Sequence, residues 1–137
     1  MSAKIFRGRS TSSSDQIFTF DGTRLYKGRS TSSSDTLFTI TSDHVYRGRS
    51  TSSSDVLLSI KGDHIYKGRS TSSSDILFTI GDGRIFEGRS TSSSDVVYSF
   101  DRKHLYEGRS TSSSDIELTF DGDIPDAVLG ALLIAGW

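Results

Sequence analysis

Gly8-Arg9-Ser10-Thr11-Ser12-Ser13-Ser14-Asp15 recurs unchanged at Gly28–Asp35, Gly48–Asp55, Gly68–Asp75, Gly88–Asp95 and Gly108–Asp115. The six copies stand 20 residues apart, with no insertion or deletion between them. Loops of an ordinary globular fold tolerate changes in length. A fixed period over a whole chain instead marks a repeat architecture, in which each unit follows the same path. The repeats run over 5–124, between a polar lead, 1–4, and a segment of different character, 125–137.

The residues between the octads alternate. Phe18, Phe38, Leu58, Phe78, Tyr98 and Leu118 form one apolar column, and Phe20, Ile40, Ile60, Ile80, Phe100 and Phe120 another, with Thr or Ser between them. A period of two with β-branched and aromatic residues predicts a strand with one buried face, over Gln16–Phe20 and its equivalents. The preceding column, Ile17, Leu37, Leu57, Leu77 and Val97, is apolar but ends in Glu117, which places it on an outer, half-covered side. Turn residues follow, such as Asp21-Gly22 and Gly81-Asp82-Gly83. Asp101-Arg102-Lys103 lacks glycine and is expected to be the least comfortable turn. A second strand carries an aliphatic–aromatic pair (Leu25-Tyr26, Ile65-Tyr66 and equivalents), then a charged residue, then the octad glycine.

Three assemblies of this two-strand unit compete. A propeller would have too few blades. A twelve-stranded closed barrel would enclose a lumen that these short strands and sparse apolar side chains do not fill. A β-solenoid, one repeat per coil, meets neither difficulty, and the remaining alternative is a sandwich of antiparallel hairpins. The expectation is therefore an all-β solenoid of six 20-residue coils, a rod of ~29 Å at ~4.8 Å per coil. The segment 125–137 then reads as a capping helix, with Asp123 at its N-cap, Pro125 and Asp126 in its first turn, and Val128, Leu129, Leu132 and Leu133 on one side. No equivalent cap precedes Ile5. The first coil is thus an open edge, through which self-association is expected.

Bulk properties exclude several classes of function. The net charge is −1, from 16 basic and 17 acidic residues, so no strong field recruits nucleic acid or an anionic membrane. There is no cysteine, which removes disulfides and thiolate metal sites. No secretory leader or membrane-spanning run is seen, and localisation stays open.

Ser, His and Asp all occur, but a catalytic triad needs one singular serine, whereas these serines recur in six equivalent settings. The chain reads as a non-enzyme with no cofactor. His44 and His64 would meet on neighbouring coils, and the octad aspartates would form a column suited to Ca²⁺. Both fall short as metal sites for lack of further ligands and of the calcium-repeat pattern. Stacked arginines would repel by about 0.9 kcal/mol per neighbouring pair in water, so Arg–Asp ion pairs are expected to neutralise the stack. The candidate binding face comprises Arg9, Thr11, Arg29, Thr31, Arg49, Thr51, Arg69, Thr71, Arg89, Thr91, Arg109 and Thr111.

The unit GRSTSSSD, followed by the Thr-Ile and Ile-Tyr steps, resembles small bacterial β-solenoid repeat proteins of the GxSTSxD…TIxGxxIYxG type, over 5–124. That resemblance implies a solenoid and brings no assigned activity. Within the chain, the core columns vary while the octad does not, the reverse of ordinary drift. Either a ligand engages the octads, or the repeat is engineered or idealised. The function expected is a structural repeat scaffold. The alternative is a module that binds ice, glycan or anion through the repeated Ser/Thr/Arg face.

Overall fold

The computed structural model of the chain describes residues 2–137. Twelve strands run in chain order: β1 (Ala3–Arg7), β2 (Gln16–Phe20), β3 (Arg24–Lys27), β4 (Thr36–Ile40), β5 (His44–Arg47), β6 (Val56–Lys61), β7 (His64–Lys67), β8 (Ile76–Gly81), β9 (Arg84–Glu87), β10 (Val96–Phe100), β11 (His104–Glu107) and β12 (Ile116–Gly122). One helix, α1 (Asp126–Ala135), follows. The strands fall where the alternation puts them.

Their assembly is not a solenoid. Each strand pairs antiparallel with its neighbours in sequence, and β1 pairs with β12, which closes a twelve-stranded up-and-down barrel. The reason lies in the connections. A short turn and an octad are both short enough to join adjacent antiparallel strands, so consecutive strands lie side by side, and no rod forms. The edge expected at the first coil does not exist either. Ile5 lies opposite Phe18 of β2 on one side and Phe120 of β12 on the other, so association through an open edge loses its basis. The lead contributes to this closure, for Ala3 is buried and pairs with Gly122.

The lumen is filled by the segment that reads as a cap. Twelve strands ~4.8 Å apart and tilted by ~40° enclose a cylinder about 24 Å across between backbones. Inward side chains leave a channel about 12 Å wide, the diameter of an α-helix with its side chains. Helix α1 occupies it, and packs against β4, β5 and β6. Ala127, Val128, Leu129, Gly130, Ala131 and Leu132 are all buried, more than one stripe of the helix. A helix apolar on most sides belongs in a core. The N-cap is Pro125, not Asp123. Gly130 lets the helix approach the wall closely: a Cβ there would lie 3.1 Å from Ile65 Cδ1 and 3.2 Å from Leu58 Cδ1.

Every strand pair joined by an octad carries a β-bulge, as between Ile5 and Phe6 against β2. The bulged residue is the 17/37/57/77/97/117 column. A bulge turns two successive side chains toward the same side. Ile17, Leu37, Leu57, Leu77 and Val97 accordingly pack against the inner core, not on the outer side assigned to them from the alternation. In the second strand of each repeat the aliphatic residue (Leu25, Val45, Ile65) belongs to the inner core, while its aromatic partner is on the other face.

Candidate functional site: six polar loops around one rim

An up-and-down barrel sorts its connections. All six octads lie at one end, and all the short turns at the other. Each octad glycine adopts a positive φ of 57–64°, which disfavours side chains with a Cβ. In that conformation its backbone bonds with both groups to the strand beside the one it follows. Gly28 N–H donates to Ile17 O at 2.7 Å, and Gly28 O accepts from Thr19 Oγ1 at 2.7 Å. The same carbonyl is met by Thr39, Ser59, Thr79 and Ser99 in the following repeats. Across the seam, Thr119 Oγ1 donates to Gly8 O at 2.6 Å. The Thr/Ser column thus anchors every octad to the wall.

Most octad side chains are spent on the loop itself. Ser12 N–H donates to Ser10 Oγ at 2.9 Å. Ser12 and Ser14 hydroxyls lie 3.0 Å apart. Asp15 N–H donates to Ser12 O at 2.9 Å, within the short 3₁₀ turn Ser13–Asp15. In three repeats the aspartate accepts from the first serine, as Asp55 Oδ2 does from Ser50 Oγ at 2.7 Å. The expected Arg–Asp pairs do not form: among the described residues no arginine or lysine lies within 4.0 Å of a carboxylate, and the one such contact is that of the His104 ring with Asp101, at 3.9 Å. Closure removes the need for them. Around a ring this size, arginines on successive octads stand ~12 Å apart, where repulsion in water is about 0.3 kcal/mol before screening.

Arg9 and Thr11, with Arg29, Thr31, Arg49, Thr51, Arg69, Thr71, Arg89, Thr91, Arg109 and Thr111, are all exposed. The fold disperses them around the octad end instead of stacking them in one flat face. His44 and His64 are not neighbours, because β6 lies between β5 and β7. Each packs on its own tyrosine, His44 on Tyr46 at 5.7 Å and His64 on Tyr66 at 5.9 Å between ring centres. The octad aspartates sit in separate loops, so no aspartate column forms, and the described residues hold no group of three metal-ligating side chains.

A second ring lies inside the octads. Lys27 sits opposite Phe18 in the β2–β3 register, and Arg47, Lys67, Glu87 and Glu107 hold the same place opposite Phe38, Leu58, Phe78 and Tyr98. Arg7, opposite Leu118, completes the set. These residues share the inward face of the sheet but are exposed at the mouth of the barrel. Glu117, the one charge in the bulge column, also stands there and accepts a hydrogen bond from Trp137 Nε1 at 3.1 Å. Trp137 packs against Tyr98 with ring centres 5.6 Å apart and planes tilted by 51°. Glu87, Glu107, Glu117, Tyr98 and Leu133 border a cleft of about 450 Å³. Burial, then the charges of Glu117 and Glu107, push the Tyr98 phenol up from its ordinary pKa. Sequence reading missed this ring as a ring, although its signal was present: the charge before the octad glycine is basic in four copies and acidic in the last two.

The opposite end carries the turns. Asp21 Oδ1 accepts from the N–H groups of Thr23 and Arg24, and its Oδ2 from Tyr26 Oη at 2.8 Å. Burial alone would raise the Asp21 pKa, but these bonds and the Arg24 charge outweigh it and hold the carboxyl below its usual range. Asp101 repeats the arrangement with Lys103, His104 and Tyr106. This turn, although it lacks glycine, is therefore held by its aspartate. Asp126 in the first turn of α1 goes the other way, pushed up by burial and by Asp63.

A family model described as 6-fold beta flower protein matches residues 5–132. The chain belongs to that family. The six-repeat count and the ring-like closure both fit a six-fold flower, with the octads as its petals. The bacterial solenoid resemblance holds only in that this is a tandem-repeat protein. No curated protein matches the beta flower chain. Among solved structures, the X-ray structure of a protein from Arabidopsis thaliana is similar, with 13% identity, a TM-score of 0.50, and coverage of 97% of this chain and 88% of that one. That likeness concerns the fold alone. No helix among the described residues is long and apolar enough to cross a membrane.

Proposed function

We propose that this beta flower is a non-enzymatic display scaffold, whose rim of six octads binds a multivalent anionic ligand such as a sulfated glycan. The observation that carries the reading is the division of labour inside the octad. The glycine, three of the four serines and, in three repeats, the aspartate carboxylate are consumed in anchoring and shaping the loop, while the arginine and threonine stay exposed. Six identical guanidinium-bearing loops, none paired with a carboxylate among the described residues, suit a ligand with several anionic groups. Each contact is weak, and linkage makes them effective. Catalysis has no singular serine to work with.

The test is titration with a sulfated polysaccharide, with inorganic sulfate as the monovalent control. Saturable, salt-sensitive binding of the polymer and not of sulfate is expected, with loss in the variant carrying Arg→Gln at Arg9, Arg29, Arg49, Arg69, Arg89 and Arg109. Undiminished binding by that folded variant refutes the assignment to the octads. The invariance of the octad also suits an engineered or idealised repeat, in which the rim is a plain display surface. Absence of binding by the wild-type chain favours that second reading.

A further inference from the structure

The mouth ring is electrically split. Going round the barrel it reads Arg7, Lys27, Arg47 and Lys67 on β1, β3, β5 and β7, then Glu87 and Glu107 on β9 and β11, with Glu117 beside them on β12. Four consecutive cations thus face an arc of carboxylates across the mouth. Within the ring the surface is apolar. Ile134, on the last turn of α1, is the one large hydrophobic residue exposed among those described, at 39%, and Leu133 and Trp137 are only partly covered. An apolar centre inside a charged rim is the anatomy of a protein interface.

We infer that two copies of this chain dock mouth to mouth about a two-fold axis. The ring order supplies the argument. Turning one copy over reverses the direction in which its ring is read. A docking that sets Glu87 of one copy against Lys67 of the other therefore also sets Glu107 against Arg47, and symmetry repeats both pairs. Glu117 then falls over the arc between Lys27 and Arg47. Only Arg7 and Lys27 meet a like charge. A self-complementary patch of this kind closes as a dimer and does not propagate, and charge complementarity fixes its register. The octad glycines are tied by Thr/Ser hydroxyls that alternate with the inward residues of the wall, and the ring residues Arg7 to Glu107 are different side chains from the six arginines of the proposed ligand rim.

Sedimentation of the full chain over a range of concentrations and salt is the test. Wild type is expected to dimerise at low ionic strength and to dissociate as salt shortens the screening length from about 30 Å to about 3 Å. Glu87→Lys with Glu107→Lys leaves Glu117 as the one carboxylate of a ring that otherwise carries six cations, and its self-association is expected to weaken by about 10- to 100-fold. A second variant, Arg7→Glu, Lys27→Glu, Arg47→Glu and Lys67→Glu, is uniformly acidic. Each variant alone is expected to be monomeric, and a mixture of the two is expected to form a heterodimer, which also shows that both remain folded. A wild-type chain that stays monomeric at low salt and millimolar concentration overturns the inference. So does a dimer indifferent to the Glu→Lys changes, or a mixture of two folded variants that fails to pair.

Discussion

Replacing Leu132 by alanine tests whether α1 fills the lumen. Leu132 is fully buried and Leu129 is 2% exposed. Removing a buried leucine down to its Cβ costs about 2–5 kcal/mol, and the cost depends on how far the surroundings collapse into the space. Here the surroundings are a sheet with no free edge, closed by hydrogen bonds through the β1–β12 pairing. Such a wall has little freedom to move inward, so a loss near ~4 kcal/mol is expected. For a domain of this length each kcal/mol lowers Tm by about 3–6 °C, so the melting point should fall by roughly 12–24 °C. Urea unfolding of wild type, Leu132→Ala and Ile134→Ala, followed by circular dichroism, provides the measurement. Ile134, on the same helix but partly exposed, serves as control and should cost under ~1 kcal/mol. Equal and small losses for the two variants would refute a lumenal helix. They would place α1 on the outside, where a leucine could be removed without leaving a hole.

Three further outcomes are expected. Gly122→Ala should disrupt the β1–β12 seam, because a Cβ on Gly122 would collide with Ser2 O and with Ala3, at a φ of 116°. A loss of at least ~2 kcal/mol in urea unfolding is the expected reading. Asp101→Asn should destabilise at neutral pH, since the wild-type carboxylate has a lowered pKa in the fold. That contribution is present above the unfolded value of about 4 and disappears as pH falls through the folded value. The Tm curves of variant and wild type should therefore converge in acid. Asp126→Asn should have the opposite sign. Its wild-type pKa is raised, so ionisation opposes folding at neutral pH, and the variant's advantage in Tm should shrink as pH falls.

Much of the local structure was legible. The two-residue alternation placed the strands because a half-buried strand must alternate, whatever it pairs with. The Phe18 column went to the core as its chemistry demands, whereas which member of the second-strand pair faces inward was not legible, because both members are large and apolar. Pairing was not legible in the same way. A fixed repeat is equally compatible with like residues stacked on like and with hairpins laid side by side. What decides is whether the ring can be filled. Counting the apolar residues of the strands alone makes the lumen look empty, because Val128, Leu129 and Leu132 then belong to a cap on the end of a stack. Once they are counted as interior, the objection to a barrel disappears.

At the rim, the composition of the octad was legible and its internal wiring was not. Ser10, Ser12 and Asp15 resemble a chemical group on the page, yet in the fold they shape the loop. Arg9 and Thr11 stayed exposed, while the expected Arg–Asp pairing assumed charges stacked more closely than a ring holds them. Glu117 was the clearest missed signal. It breaks an apolar column and does so where Trp137 comes within hydrogen-bonding distance.

The helix inside the barrel also sets the number of repeats. A stack of coils can gain or lose a unit and remain a stack, merely longer or shorter. Here each repeat adds two strands to a circumference. Five repeats would narrow the space between inward side chains to about 8 Å, and seven would widen it to about 16 Å, against a helix about 10–12 Å thick. The terminal segment is therefore a gauge for the whole chain. Duplication or loss of a single 20-residue unit, the commonplace accident of tandem repeats, changes the bore without changing what must fill it.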